Sequence, residues 1–326
     1  MENFLHQLEP LLRRRISRNV FLRVCLGWIL ALFSMDRFVS LAFAETASAE
    51  PRRPRNIDTR HDLVAVKGAD PYRNTVAAIE ALGGMELFVR KGDVVVVKPN
   101  IGWDRTPEQA ANTDPAVVAA LVELCYRCGA RRVNVFDVTC NDQRRCYENS
   151  GIQSAAKEKG AQVYFPDNWN VVKAHFPYAS QMEGWSLLRD AVVCDTFINV
   201  PVLKHHGLTG LTLSMKNLMG VCTGIRGMIH VDIGKKLVDL VDFIRPELTV
   251  IDATRFLSRN GPSGGNIDDV VRMDTVLASK DPVLADAYAS TLVGRDPLSI
   301  TYIKEAAERK LGQSDIARSK VSTLQI

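Results

Sequence analysis

The sequence predicts an α/β fold, a largely parallel sheet with helices on both faces, in one large domain or in two lobes meeting near residue 200. Three observations carry this. Strand-like and helix-like segments alternate along the chain. Runs such as Asp93–Lys98 are continuously apolar, as in strands covered on both sides. No repeat of fixed period points to a solenoid or propeller.

Each element follows from local chemistry. Asp62–Lys67 is a short strand, Asn74–Leu82 a helix, and Asp93–Lys98 a buried strand stopped by Pro99. Asp114 supplies an N-cap and Pro115 an N1 proline for a helix over Ala116–Cys128, which Gly129 ends. Arg132–Asp137 is the next strand, Cys146–Lys159 a helix closed by Gly160, and Ala161–Phe165 a strand. A second series places strands at Thr196–Val200, Leu248–Asp252 and Val270–Ala278, and helices at Leu211–Leu218, Lys235–Phe243, Pro282–Leu292 and Ile300–Lys310. Residues 45–61, with Pro51, Pro54 and four arginines, read as a linker; 62–312 form the domain and 313–326 a C-terminal tail.

With 326 residues, 46% hydrophobic and 24% charged, the composition is that of a globular protein. The net charge of +4 is unevenly placed, because residues 1–44 hold six arginines against Glu2, Glu9 and Asp36. The nearly neutral remainder lacks the basic footprint of a nucleic-acid binder. Arg13, Arg14, Arg15 and Arg18 precede an apolar stretch, Val24–Met35, and a small-residue site at Ala42-Phe43-Ala44. That pattern is an export signal, which makes the export machinery a partner and the periplasm the destination. Ser17–Arg23 resembles the twin-arginine motif with Asn19 in place of the second arginine, so the general secretory route stays open. The twelve-residue stretch is shorter than the roughly 20 residues of a membrane span, so no stable span is expected. Beyond Cys25, six cysteines permit three disulfides, and Cys125 and Cys128 share a helix face, where ordinary buried thiols are favoured over a metal or redox pair.

Polar residues gather at four strand ends, where open α/β sheets bind ligands. Lys98 and Asn100, with Thr113 at the following helix start, suit a carboxylate or phosphate. Asp137 could orient a substrate hydroxyl or a metal. The densest end carries Lys204, His205 and His206, then Thr212, Lys216 and Asn217, with Thr212 and Lys216 on one helix face. A lysine in a desolvated cleft loses basicity and can act as base or nucleophile, and histidine titrates near neutrality. Lys204, His205, His206, Lys216 and Asn217 are therefore the candidate catalytic set. Asp252 and Asn260 complete the candidate anion-binding set with Lys98, Asn100, Thr113 and Asp137. His230 could join His205 and His206 around a metal ion, although the spacing matches no standard zinc motif. Gly-x-Gly-x-x-Gly and P-loop signatures are absent.

Val95–Asn100, Asn112–Pro115, Asn199–Gly207, Thr212–Gly220, Asn260–Pro262 and Asp281–Asp286, in that order, resemble the domain-of-unknown-function 362 (DUF362) family. The resemblance covers about residues 62 to 312 and implies no particular reaction. Some members carry an appended ferredoxin-like module, but the closely repeated Cys-x-x-Cys run of such clusters is missing here, which argues against an iron–sulfur centre. Asp104–Pro107 and the Lys-His cluster are faintly similar to the nickel-pincer lactate racemase group. The leading expectation is an exported enzyme acting on a small anionic molecule by lysine and histidine acid–base chemistry. The alternative is a non-enzymatic periplasmic protein that holds a metal or cofactor or serves in its maturation.

Overall fold

The computed structural model describes residues 48–166, 170–176 and 180–326; the export signal expected over 1–44 lies outside them. Residues 48–326 form one compact unit, so no lobe boundary falls near residue 200.

Chain order begins with β1 (Ser48–Ala49), β2 (Leu63–Lys67), α1 (Pro71–Leu82), β3 (Val94–Pro99), α2 (Pro115–Arg127) and β4 (Arg132–Val135). Next come α3 (Gln143–Asn149), α4 (Ile152–Glu158), β5 (Gln162–Val163), β6 (Val171–Ala174), β7 (Ser186–Leu188) and α5 (Arg189–Val193). The second half holds β8 (Thr196–Val200), β9 (Val202–His206), β10 (Gly210–Thr212), α6 (Ser214–Asn217) and α7 (Ile233–Ile244). It ends with β11 (Leu248–Leu257), β12 (Val270–Ser279), α8 (Pro282–Leu292), α9 (Thr301–Glu308) and β13 (Val321–Gln325).

The main sheet runs β13-β2-β12-β11-β8-β3-β4-β5, and β9 also pairs with β11. Along that path β12 is antiparallel to both its neighbours, and every other pairing is parallel. Alternation along each strand divides the core between two faces. Val95, Val97, Val133 and Val135 pack with α1, α2 and the α3–α4 pair. Val96, Phe197, Ile251 and Leu277 pack with α6 to α9. Asp70, Asp114 and Asp281 accept hydrogen bonds from the first amides of α1, α2 and α8, each followed by proline at N1.

Several expectations are corrected. The helix expected over Cys146–Lys159 is two helices, because Gly151 takes a left-handed φ of 72°. The helix expected over Leu211–Leu218 is instead β10, the one-turn α6 and a 3-10 turn over Leu218–Val221. Its apolar residues pack on the sheet core in both conformations, so periodicity did not separate them. The segment 313–326 ends in β13, which extends the sheet parallel to β2. The six cysteines outside the signal region are free thiols, Cys125, Cys146, Cys194 and Cys222 being buried.

Part of the expected linker is also built into the fold. Ser48 and Ala49 pair with β6. Arg52 lies buried, its guanidinium 3.0 Å from Glu247 Oε1 and donating to the carbonyls of Ile244 and Cys194. Glu247 also accepts from the Phe197 amide at 2.7 Å, so the pair locks the chain entry to the start of β8. Breaking a buried pair strands one charge. Arg52→Ala is expected to lower stability by about 3–5 kcal/mol in urea denaturation, with Arg53→Ala, on an exposed neighbour, close to wild type.

Candidate functional site

The carboxyl ends of β3, β4 and β9, together with α6 and the 3-10 turns after it, enclose a cavity of about 490 Å³. Its floor is a polar network. Lys98 is fully buried, with Nζ 2.8 Å from Asp137 Oδ1 and 3.0 Å from Asn217 Oδ1. Asn217 Oδ1 also accepts from Asn100 Nδ2 at 3.0 Å, while its amide nitrogen donates to the Lys98 carbonyl and to Asn199 Oδ1. Asp137 Oδ2 accepts from the Ile101 amide, and the Tyr147 hydroxyl brackets the Asp137 backbone. The short helix α6 is held by Asp286, whose carboxylate accepts from the amides of Ser214 and Met215.

Above this floor lie cations without carboxylate partners among the described residues. Lys204, in β9, donates to Asn100 Oδ1 at 3.0 Å and to the Ala111 carbonyl. Burial, with Lys216 nearby, brings its pKa down to about 7. Lys216 makes one hydrogen-bond-range contact, to Met219 Sδ at 3.6 Å, and burial brings its pKa down to about 8. Lys98 is also pushed down by burial, against the pull of Asp137.

The two cavity histidines differ in tautomer. His206 Nδ1 accepts from the amides of Leu208 and Thr209, which leaves the ring proton on Nε2. Burial and Lys216 depress its pKa to about 3, so it is a neutral hydrogen-bond donor. His230 Nδ1 lies 3.2 Å from the Gly227 carbonyl; as donor there, it leaves Nε2 free to accept a proton. Burial and Lys216 lower its pKa as well, and the two rings stack with centroids 6.1 Å apart.

Of the residues singled out in the sequence, Lys98, Asn100, Asp137, Lys204, His206, Lys216, Asn217 and His230 line the cavity. His205 does not. It sits on the opposite side of β9, and its Nδ1 accepts from the Gly261 amide. Thr113 joins β3 to β8, accepting from the Asn100 amide and donating to the Val200 carbonyl. Asp252 accepts from the Asp114 amide and from Thr254, and burial beside Asp114 raises its pKa. Asn260 donates to Asp269 at 2.7 Å. Those three serve structure, and Asp104–Pro107 also falls outside the lining. The trio His205, His206 and His230 therefore does not converge on a metal. Among the described residues no three His, Cys, Asp or Glu side chains form a metal-binding group.

Trp103, Cys140, Met219 and Arg226 also line the cavity without having been singled out. Arg226 donates to the Val138 and Thr139 carbonyls, tying the 3-10 turn over Arg226–His230 to the loop after β4. No local pattern marks it, since its partners are backbone carbonyls 87 and 88 positions away. Thr212 lines the wall from β10 rather than from a helix.

Gly220 is where the floor closes. A Cβ there would stand 1.7 Å from Asp137 Oδ1 and 2.4 Å from Lys98 Nζ. Gly220→Ala is expected to split that pair and cost about 3–5 kcal/mol in denaturant unfolding. Gly227→Ala, with nothing within 4 Å of the added carbon, should stay within about 0.5 kcal/mol of wild type.

Comparison with known proteins bears on the same residues. A thylakoid-associated protein of Synechocystis sp., sll1697, is 28% identical over 250 residues, covering 73% of this chain and 74% of its own length. The lactate racemase apoprotein of Thermoanaerobacterium thermosaccharolyticum superposes with a TM-score of 0.43 at 11% identity over 75% of this chain. A Thermotoga maritima protein gives a TM-score of 0.35 at 10% identity over 74% of the chain. The chain spans 61% and 60% of the lengths of those two structures. The family model described as "Domain of unknown function (DUF362)" matches residues 95–291, which include every residue lining the cavity. The chain belongs to the DUF362 family.

Proposed function

We propose that the protein is an exported enzyme that binds a small carboxylate or phosphate in this cavity and moves protons on it with lysine and histidine side chains. The observation that carries the reading is the pair Lys204, fully buried, and Lys216, half-buried, which line one cavity with no carboxylate partner among the described residues. Burial disfavours the charged form of both, and the charge on Lys216 further lowers the affinity of Lys204 for a proton. A bound anion supplies the missing charge. Lys98 is spent on Asp137 and belongs to the floor rather than to the ligand.

Proton transfer follows from the same groups. Lys204, with a pKa of about 7, offers both a proton donor and a free amine at neutral pH. Neutral His206 donates through Nε2 to developing negative charge, and His230 Nε2 accepts. Arg13 to Arg18 and the Ala42-Phe43-Ala44 site support export. Among the described residues no helix is long and apolar enough to cross a membrane.

The pH dependence has a definite sign. An anion prefers the protonated lysines, so affinity for butanoate, which stays ionised throughout, is highest at about pH 6 to 7. Above pH 8, where Lys216 also loses its proton in the free protein, affinity falls by up to tenfold per pH unit for each lysine, until the raised pKa of the complex is passed. Lys216→Met is expected to weaken binding at pH 7 by about 10- to 100-fold in calorimetric titration. Flat affinity from pH 6 to 9, or unchanged binding in both Lys204→Met and Lys216→Met, would remove the anion site. Solvent-deuterium exchange into a panel of small carboxylates and phosphate monoesters, followed by NMR, tests the enzymatic half. Exchange should be lost in Lys204→Met, and exchange at the wild-type rate would contradict the role given to that amine.

A further inference from the structure

The cavity lining mixes charged and apolar side chains, with Lys204 and Lys216 among the former and Trp103, Val138, Leu208, Met219 and Pro262 supplying apolar surface. Of the apolar lining residues, Leu208 also reaches solvent.

The apolar character continues out of the cavity. Leu208, at the tip of the β9–β10 hairpin, is 74% exposed. Ile225, Met228 and Val231, on the 3-10 turn that carries Arg226 and His230, are 78%, 53% and 56% exposed. Isolated exposed apolar residues need no explanation, but these four sit on two segments that both contribute to the cavity lining, through Leu208 and through Gly227 and His230. A wholly polar ligand has no use for such a rim, and its water-facing apolar area costs free energy until it is covered.

Resting on the anion-binding reading above, we infer that the ligand is an anionic amphiphile. Its carboxylate or phosphate lies at Lys204 and Lys216, and its apolar body runs along Trp103 and Met219 toward Leu208, Ile225 and Met228. The occupant of the apolar rim is thus the ligand's own tail. The chemistry is shared by a free alkyl phosphate or fatty acid and by a lipid with an exposed phosphate.

Calorimetric titration of the full chain with butanoate, hexanoate and octanoate, and with butyl and octyl phosphate below their aggregation concentrations, tests the inference, with octanol as neutral control. Affinity should rise by about fourfold for each methylene that becomes buried. Octanol should bind at least tenfold more weakly than octanoate. Leu208→Ser and Met228→Ser should shrink the octanoate-to-butanoate ratio, and Lys204→Met should weaken all the anions. Equal affinity for butanoate and octanoate overturns the amphiphile and leaves the anion site standing. Octanol binding as tightly as octanoate, or no anion binding at all, overturns the anion site itself. Cosedimentation with phosphatidylcholine vesicles containing phosphatidic acid distinguishes the two sources. Capture lost in Leu208→Ser identifies a membrane lipid, and octyl phosphate binding without capture identifies a free molecule.

Discussion

The fully buried ion pair between Lys98 and Asp137 fixes the geometry on which the rest of the site depends. An ammonium without water needs a counter-charge and further acceptors, and the fold supplies Asp137, the Pro99 carbonyl and Asn217 Oδ1. Asn217 then has its amide saturated by Lys98, Asn100 and Asn199, so one side chain ties β3, β8 and α6 into a single frame. The close approach of Gly220 to the pair seals that frame from the other side. Such a network contributes position more than stability, because desolvating two charges offsets much of their attraction.

That rigid floor is what permits the uncompensated charge above it. Asn100 has one amide group on Asn217 and its oxygen on Lys204, so the saturated network hands its order directly to the first free lysine. Lys216 extends from α6, whose first turn is pinned by Asp286. Both lysines are held in a cleft where charge is costly, and that cost is the reservoir a ligand anion relieves. The histidines complement them without adding charge, since burial and the lysines keep both rings neutral.

Much of this was legible in the sequence, and the losses have physical reasons. The apolar runs of β3 and β8 and the Asp-Pro starts of α2 and α8 marked the layered fold, and strand carboxyl ends pointed to residues that line the cavity. Lys98, Asn100, Lys204, His206, Lys216 and Asn217 converge because they end parallel strands or follow them closely. β9 was hidden because its cavity face carries Lys204 and His206 where a buried strand ordinarily carries valine. The same period of two that brings those residues together turns His205 away. Thr113, Asp252 and Asn260 are polar at the right ends of the right elements, yet backbone amides, carbonyls and Asp269 consume them. Arg226 and the Arg52–Glu247 pair depend on contacts across the fold that no local pattern encodes.

The most direct test of the account is an NMR titration of the lysine side chains, with Lys204 and Lys216 assigned by substitution, in the absence and presence of inorganic phosphate. The two lysines are expected to titrate near 7 and 8 in the free protein, and both to move upward when phosphate occupies the cavity. Two lysines that titrate at about 10.4, as in unstructured peptides, and do not respond to phosphate would contradict it.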